Sequence, residues 1–213
     1  MPELPEMEAW RRQLDDPVSA FPIEQAGPAH IATLKTFDPP LSALEGRRLA
    51  GAERRAKRLL FPTEDGELVL LVHLMSAGRL RYLQAGEKGP KTPAFRLRFQ
   101  GGGELVLTEG GPKKRAGVWL LTPEAAEAEL AHLGPEALGL GAERLGEILQ
   151  AESRRLHSLL RDQRATPHGY PDRVHGGEPR CLSYPRWRRG VARWTIPCPR
   201  SRSRRQARRT LRR

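Results

Sequence analysis

Between Leu44 and Leu121 the apolar residues come in seven short runs: Leu44 to Glu53, Leu59 to Pro62, Leu68 to Leu74, Leu80 to Leu83, Phe95 to Phe99, Leu105 to Thr108 and Val118 to Leu121. Turn residues such as Glu64-Asp65-Gly66 and Gly101-Gly102-Gly103 separate them. Short apolar or alternating runs bounded by turn chemistry read as strands. Many such strands at this spacing leave a β-sandwich or a barrel-like sheet as the folds that can bury them.

Helices flank this strand region. Leu4, Met7, Trp10 and Leu14 recur at spacings of three and four, with Pro5 in the first turn where a missing N–H costs little. Residues 3 to 14 are therefore expected to form an amphipathic helix packed beside the sheet. After the strands, Thr122-Pro123-Glu124 supplies an N-cap and a proline at the first helical position, and Ala126, Leu130 and Leu133 mark a buried face. Two more helices are expected over Ala142 to Gln150 and Glu152 to Asp162. The fold class is α+β, with residues 1–121 as one domain and 122–163 as the start of a second.

That pattern fails at Gln163. Residues 164–213 hold fifteen Arg, no Lys, two acidic residues and six Pro, too few apolar side chains for a core, and read as a disordered basic tail. The whole-chain charge of +12 is thus misleading: the tail alone carries +13, and residues 1–163 sum to −1. Any nucleic-acid affinity of the body must come from local clusters of cations. The first thirty residues are acidic without an apolar run, and no later stretch approaches a membrane span, so a cytoplasmic chain without membrane contact is expected. Cys181 and Cys198 are too few and too far apart to define a disulfide framework or a zinc site.

Pro2 becomes a terminal secondary amine once Met1 is removed, which small second residues generally permit. A terminal amine titrates near ~8, far below lysine, so a useful fraction is neutral and nucleophilic. Such an amine can attack the anomeric carbon of a nucleotide, expel the base and hold the sugar as an imine, which acidifies the adjacent C–H for strand elimination. Glu3 next to it can shuttle the protons. Pro-Glu also begins a helix well, and both readings stay open on these two residues alone.

Further segments narrow the choice. The opening MPELPEMEAW resembles the start of the formamidopyrimidine-DNA glycosylase and endonuclease VIII family, which opens on a PELPEVE-like segment. Arg54 to Leu60 is similar to the family's RR(G/A)K hairpin, in which Lys57 falls at the position of a phosphate-facing active-site lysine; by itself RRAK is also an ordinary basic strand face. His73 to Leu80 looks like the HLxMTGxL loop, which wedges a side chain into the gap left by a flipped nucleotide. Aligned without a gap, the family's methionine falls on Ser76, and Met75 lies one place earlier, either as the wedge or as a core side chain. Gly111 to Trp119 resembles DPRRFGxW, with Lys114 and Arg115 as the Arg pair and Ala116 in place of a stacking Phe. His132 to Leu138 resembles LGPEPL at the entry to a helix-two-turn-helix domain, and Leu159 to Gln163 the LLLDQ segment.

The resemblance implies a base-excision repair DNA glycosylase with AP lyase activity that acts as a monomer on damaged double-stranded DNA. Pro2 would be the nucleophile, Glu3 the proton shuttle and Lys57 the phosphate anchor. Glu6 would order the site, unless it is simply a solvated helix carboxylate, and His73, Met75, Ser76, Lys114 and Arg115 would face the DNA. Beyond Gln163 the family's glycine hairpin and its zinc or zincless finger have no counterpart, so no cofactor and no metal ligand is expected. A shifted reading frame in a GC-rich gene and a genuine disordered tail both account for that break. An inactive or merely DNA-binding remnant is the competing reading of the whole. Ala116, unable to stack on a base, argues for a partner-base preference unlike that of an 8-oxoguanine enzyme.

Overall fold

A computed structural model describes residues 2–111, 113–136, 140–151, 153 and 155 of the chain. Helix α1, Leu4–Ser19, begins at Glu3, whose side chain accepts from the backbone of Glu6 while the Glu6 carboxylate accepts from the Glu3 N–H at 2.9 Å. This reciprocal cap satisfies two donors that a helix start otherwise leaves unpaired. The helix is longer than its first stripe predicts and runs through Pro17, because Val18 extends the buried face of Leu4, Met7 and Leu14 and is itself fully buried. Packing here outweighs the hydrogen bond that Pro17 removes. Trp10 is only partly buried against the core.

Eight strands follow: β1 (Ile23–Ala29), β2 (Glu53–Arg55), β3 (Arg58–Pro62), β4 (Val69–His73), β5 (Gly78–Leu83), β6 (Phe95–Phe99), β7 (Glu104–Glu109) and β8 (Gly117–Leu121). They form two antiparallel four-stranded sheets, ordered β1-β6-β7-β5 and β2-β3-β4-β8. Two of these elements depart from the sequence expectation. β1 lies in what reads as a link, because Gly27-Pro28 masks it; as an edge strand it can hold a proline that donates nothing to a ladder. The expected strand Leu44 to Glu53 is instead a 3-10 turn, Leu41–Leu44, an isolated bridge from Leu49 to Thr63, and β2. Gly51 explains the interruption: a Cβ there would lie 2.6 Å from Asp15 Oδ1, the oxygen that accepts from Ala52 N at 2.9 Å and ties α1 to the sheet.

The core lies between the sheets. Phe95, Leu97 and Phe99 from one meet Leu59, Phe61, Leu70 and Val72 from the other, with Met7, Leu14 and Val18 of α1 joining them. Period-two alternation assigns Leu60, Val69 and Leu71 to the opposite face of the second sheet, where α2 (Pro123–Leu130) covers them with Ala126 and Leu130. That sheet is therefore apolar on both faces, which is why β3 and β4 read as unbroken hydrophobic runs. Thr122 caps α2, accepting from Ala125 N at 3.3 Å. α3, Ala142–Gln150, forms where expected. The expected helix over Glu152 to Asp162 and the basic tail lie outside the described residues, apart from Ser153 and Arg155.

Candidate active site

Strand register decides which loops meet. Arg58 pairs with His73 and His73 with Gly117 in one sheet, and Gly78 pairs with Glu109 in the other. The β2–β3 turn, the β4–β5 turn and the β7–β8 loop therefore open at one end of the sandwich. The start of α1 joins them there, since the Glu3 carboxylate lies 3.0 Å from the Lys57 ammonium. Pro2, Glu3, Lys57, His73, Met75, Ser76, Lys114 and Arg115 come from four separate segments to this one end.

Pro2 is buried at the threshold of α1. With Glu6, Ala9, Trp10, Gln13 and Arg79 it lines a cavity of about 370 Å³. Glu6 is exposed but not idle, because it caps the Glu3 N–H and faces this cavity. Glu3 Oε2 is buried without a hydrogen-bond partner among the described residues; its contact with Lys57 is an ion pair that leaves the oxygen a lone pair to use.

Lys57 sits in the two-residue turn between β2 and β3, yet its side chain is only 4% exposed. The preceding Ala56 has φ +54°, left-handed backbone that a non-glycine residue adopts at a cost. Around this turn Arg54 donates to Glu8 and Glu136, and Ala56 N donates to Glu136 at 3.1 Å. Burial raises the Glu8 carboxyl, but hydrogen bonds from Arg11, Arg54 and Arg12 outweigh it and hold it at about 2. For His73, burial and then the Arg58 and Lys57 charges pull the imidazole down to about 4.

The β4–β5 turn closes with Gly78 N donating to Leu74 O at 2.9 Å. Leu74 takes the core position, Met75 is half-buried with φ +51°, and Ser76 is exposed. In the β7–β8 loop the buried Glu109 carboxylate accepts from Arg115 N at 2.9 Å and Ala116 N at 3.0 Å. The Lys114 ammonium is held by the Glu109 and Gly111 carbonyls, whereas Arg115 is exposed. Ala116 is fully buried in the core cluster. Gly117 is required by its neighbour, since a Cβ would lie 2.2 Å from the Trp119 ring.

Sequence reasoning missed Glu8, Arg54, Glu109 and Glu136 as organisers, and Trp10, Gln13 and Arg79 as cavity walls. Helical spacing alone signalled Trp10 and Gln13, which follow Glu6 along one face of α1. Among the described residues no group of three or more His, Cys, Asp or Glu side chains can hold a metal ion; Cys181 and Cys198 lie outside them. Among the same residues no helix is long and apolar enough to cross a membrane.

Residues 1–113 match the formamidopyrimidine-DNA glycosylase N-terminal domain. The formamidopyrimidine-DNA glycosylase of Teredinibacter turnerae is 36% identical over 169 residues, covering 77% of this chain and 61% of the relative. That of Sodalis glossinidius is 34% identical over 139 residues, covering 65% and 50%. The chain thus spans about half to three fifths of the relatives' length. Among solved structures, the Lactococcus lactis formamidopyrimidine-DNA glycosylase bound non-covalently to DNA containing an AP site has the same fold, with TM-score 0.67 and 22% identity over 80% of this chain and 65% of that one.

Proposed function

The chain belongs to the formamidopyrimidine-DNA glycosylase family, and on that premise we propose that it excises oxidised bases from double-stranded DNA and cleaves the abasic strand, with Pro2 as the nucleophile. The observation that carries this reading is the meeting of the α1 terminus with the Lys57 turn, through the 3.0 Å Glu3–Lys57 ion pair. After Met1 is removed, the positive end of the α1 dipole disfavours a charge on the Pro2 nitrogen, which favours the nucleophilic form.

The Pro2 nitrogen attacks the sugar C1′; the C1′–N bond to the damaged base breaks and the base leaves with a proton. Glu3, first protonated from water, delivers that proton to the ring oxygen as the sugar opens to an iminium, which acidifies C2′–H. The Glu3 carboxylate left behind is the base that takes the C2′ proton. Loss of that proton expels the 3′ phosphate, and water then releases the sugar remnant. Lys57 and a neutral His73 face the phosphates, while Met75 or the exposed Ser76 enters the gap left by the extruded nucleotide, whose base is received by the Pro2 cavity. Arg115, exposed on the β7–β8 loop, is the cation best placed to reach the opposite strand. The same reading puts the protein at work in the cytoplasm, on chromosomal DNA and as a monomer.

Borohydride trapping tests it. The wild-type chain incubated with a duplex containing an abasic site should yield a covalent adduct, and Pro2→Gln, which retains Met1, should yield none. A wild-type chain that binds the duplex but traps nothing would be a DNA-binding remnant.

A further inference from the structure

Arg54 is an interior guanidinium, its side chain 4% exposed, and a buried cation must have acceptors on all sides. Its Nε donates to Glu8 Oε2 at 3.1 Å, and its Nη1 to Ala56 O at 3.1 Å and to both Glu136 oxygens at 3.0 Å. Glu136 Oε2 also accepts from Ala56 N at 3.1 Å. Both backbone groups of Ala56 are therefore held by one assembly, the N–H by Glu136 and the carbonyl by the Arg54 that Glu136 neutralises. Ala56 is the residue with φ +54°, a conformation that persists only where its surroundings over-determine it. The next residue is Lys57, whose ammonium reaches Glu3.

We infer that Glu136 is a positioning residue: acting through Arg54 and Ala56, its carboxylate locks the turn that delivers Lys57 to Glu3. The inference rests on the reading of Lys57 and Glu3 as members of the site. The catalytic hairpin belongs to the sandwich, but the group that fixes its tip arrives from beyond α2, 80 residues along the chain from Ala56. Glu8 holds the far edge of the same guanidinium from α1, so Arg54 joins three segments at the base of the Lys57 turn.

The test uses the full chain with Glu136→Ala, Glu136→Gln, Arg54→Ala and the Arg54→Ala/Glu136→Ala double variant. Lysine acylation by acetic anhydride, read by mass spectrometry, reports Lys57 against the exposed Lys91 without requiring catalysis. Glu136→Ala should raise the Lys57-to-Lys91 labelling ratio by about tenfold or more. Glu136→Gln, which keeps an acceptor for Ala56 N but loses the charge facing Arg54, should fall between it and wild type. The double variant should be no worse than either single one, the non-additivity expected of groups acting as a unit. A wild-type labelling ratio in Glu136→Ala with a lowered Tm means that Glu136 only stabilises the fold, and overturns the inference. Should Glu136→Ala not fold, Glu136→Gln decides: an unchanged ratio overturns the inference and a raised one supports it. Borohydride trapping on the abasic duplex should slow in parallel with Lys57 exposure. If wild type traps nothing, the proposed function fails, while the labelling ratio still decides the role of Glu136.

Discussion

His73 is uncharged at neutral pH, since burial and then the Arg58 and Lys57 cations take its imidazole from 6.5 to about 4. On the proposed function, a neutral ring beside these cations would offer a hydrogen bond to a phosphate without adding a third charge to the cluster. The shift also fixes a direction for stability. The folded state binds this proton less readily than the unfolded one, so the contribution is complete above ~6.5 and is lost as pH falls toward ~4, by about 3 kcal/mol in all. Urea titrations at a series of pH values should therefore show a falling midpoint through this window, and His73→Gln should flatten that limb. An unchanged slope in the variant would remove the assignment. Glu8, lowered to about 2, adds a second loss only below its ordinary 4.5.

At the scale of elements, α2 is a cover whose value lies in what it hides. Thr122→Ala removes the Ala125 N–H acceptor and should cost about 1 kcal/mol in chemical denaturation. How far each element could be read from the chain depended on whether its cause was local. The α1 stripe and the Thr122-Pro123 start are local patterns, and the structure follows them. The end of α1 was hidden because Pro17 reads as a stop while the reason for continuing, Val18 in the core, is tertiary. Strand β1 was hidden because Gly27-Pro28 is turn chemistry everywhere except at a sheet edge. In the site, Pro2, Glu3 and Lys57 stood out as motif residues. The Glu8–Arg54–Glu136 network did not, because its members are 46 and 82 residues apart and no periodicity links them.

Over the whole molecule, charge is organised by place rather than by amount. Residues 1–163 sum to −1, yet Lys57, Arg58, Arg79, Lys114 and Arg115 gather where the loops and the α1 terminus meet. On the proposed function, the exposed Arg115 should behave as a single phosphate neutraliser. Arg115→Ala should weaken duplex binding and make the log–log salt dependence shallower by about one unit, measured by fluorescence anisotropy. A slope identical to wild type would place Arg115 off the DNA.

Because the second sheet is apolar on both faces, the chain has no clean seam after Leu121. Cutting there would strip α2 from Leu60, Val69 and Leu71 and leave Arg54 with Glu8 as its one carboxylate partner among these contacts. The excised sandwich would then carry a greasy wall and a half-neutralised guanidinium, and would aggregate rather than stand as a small catalytic module. The shortest fragment worth expressing ends beyond Glu136.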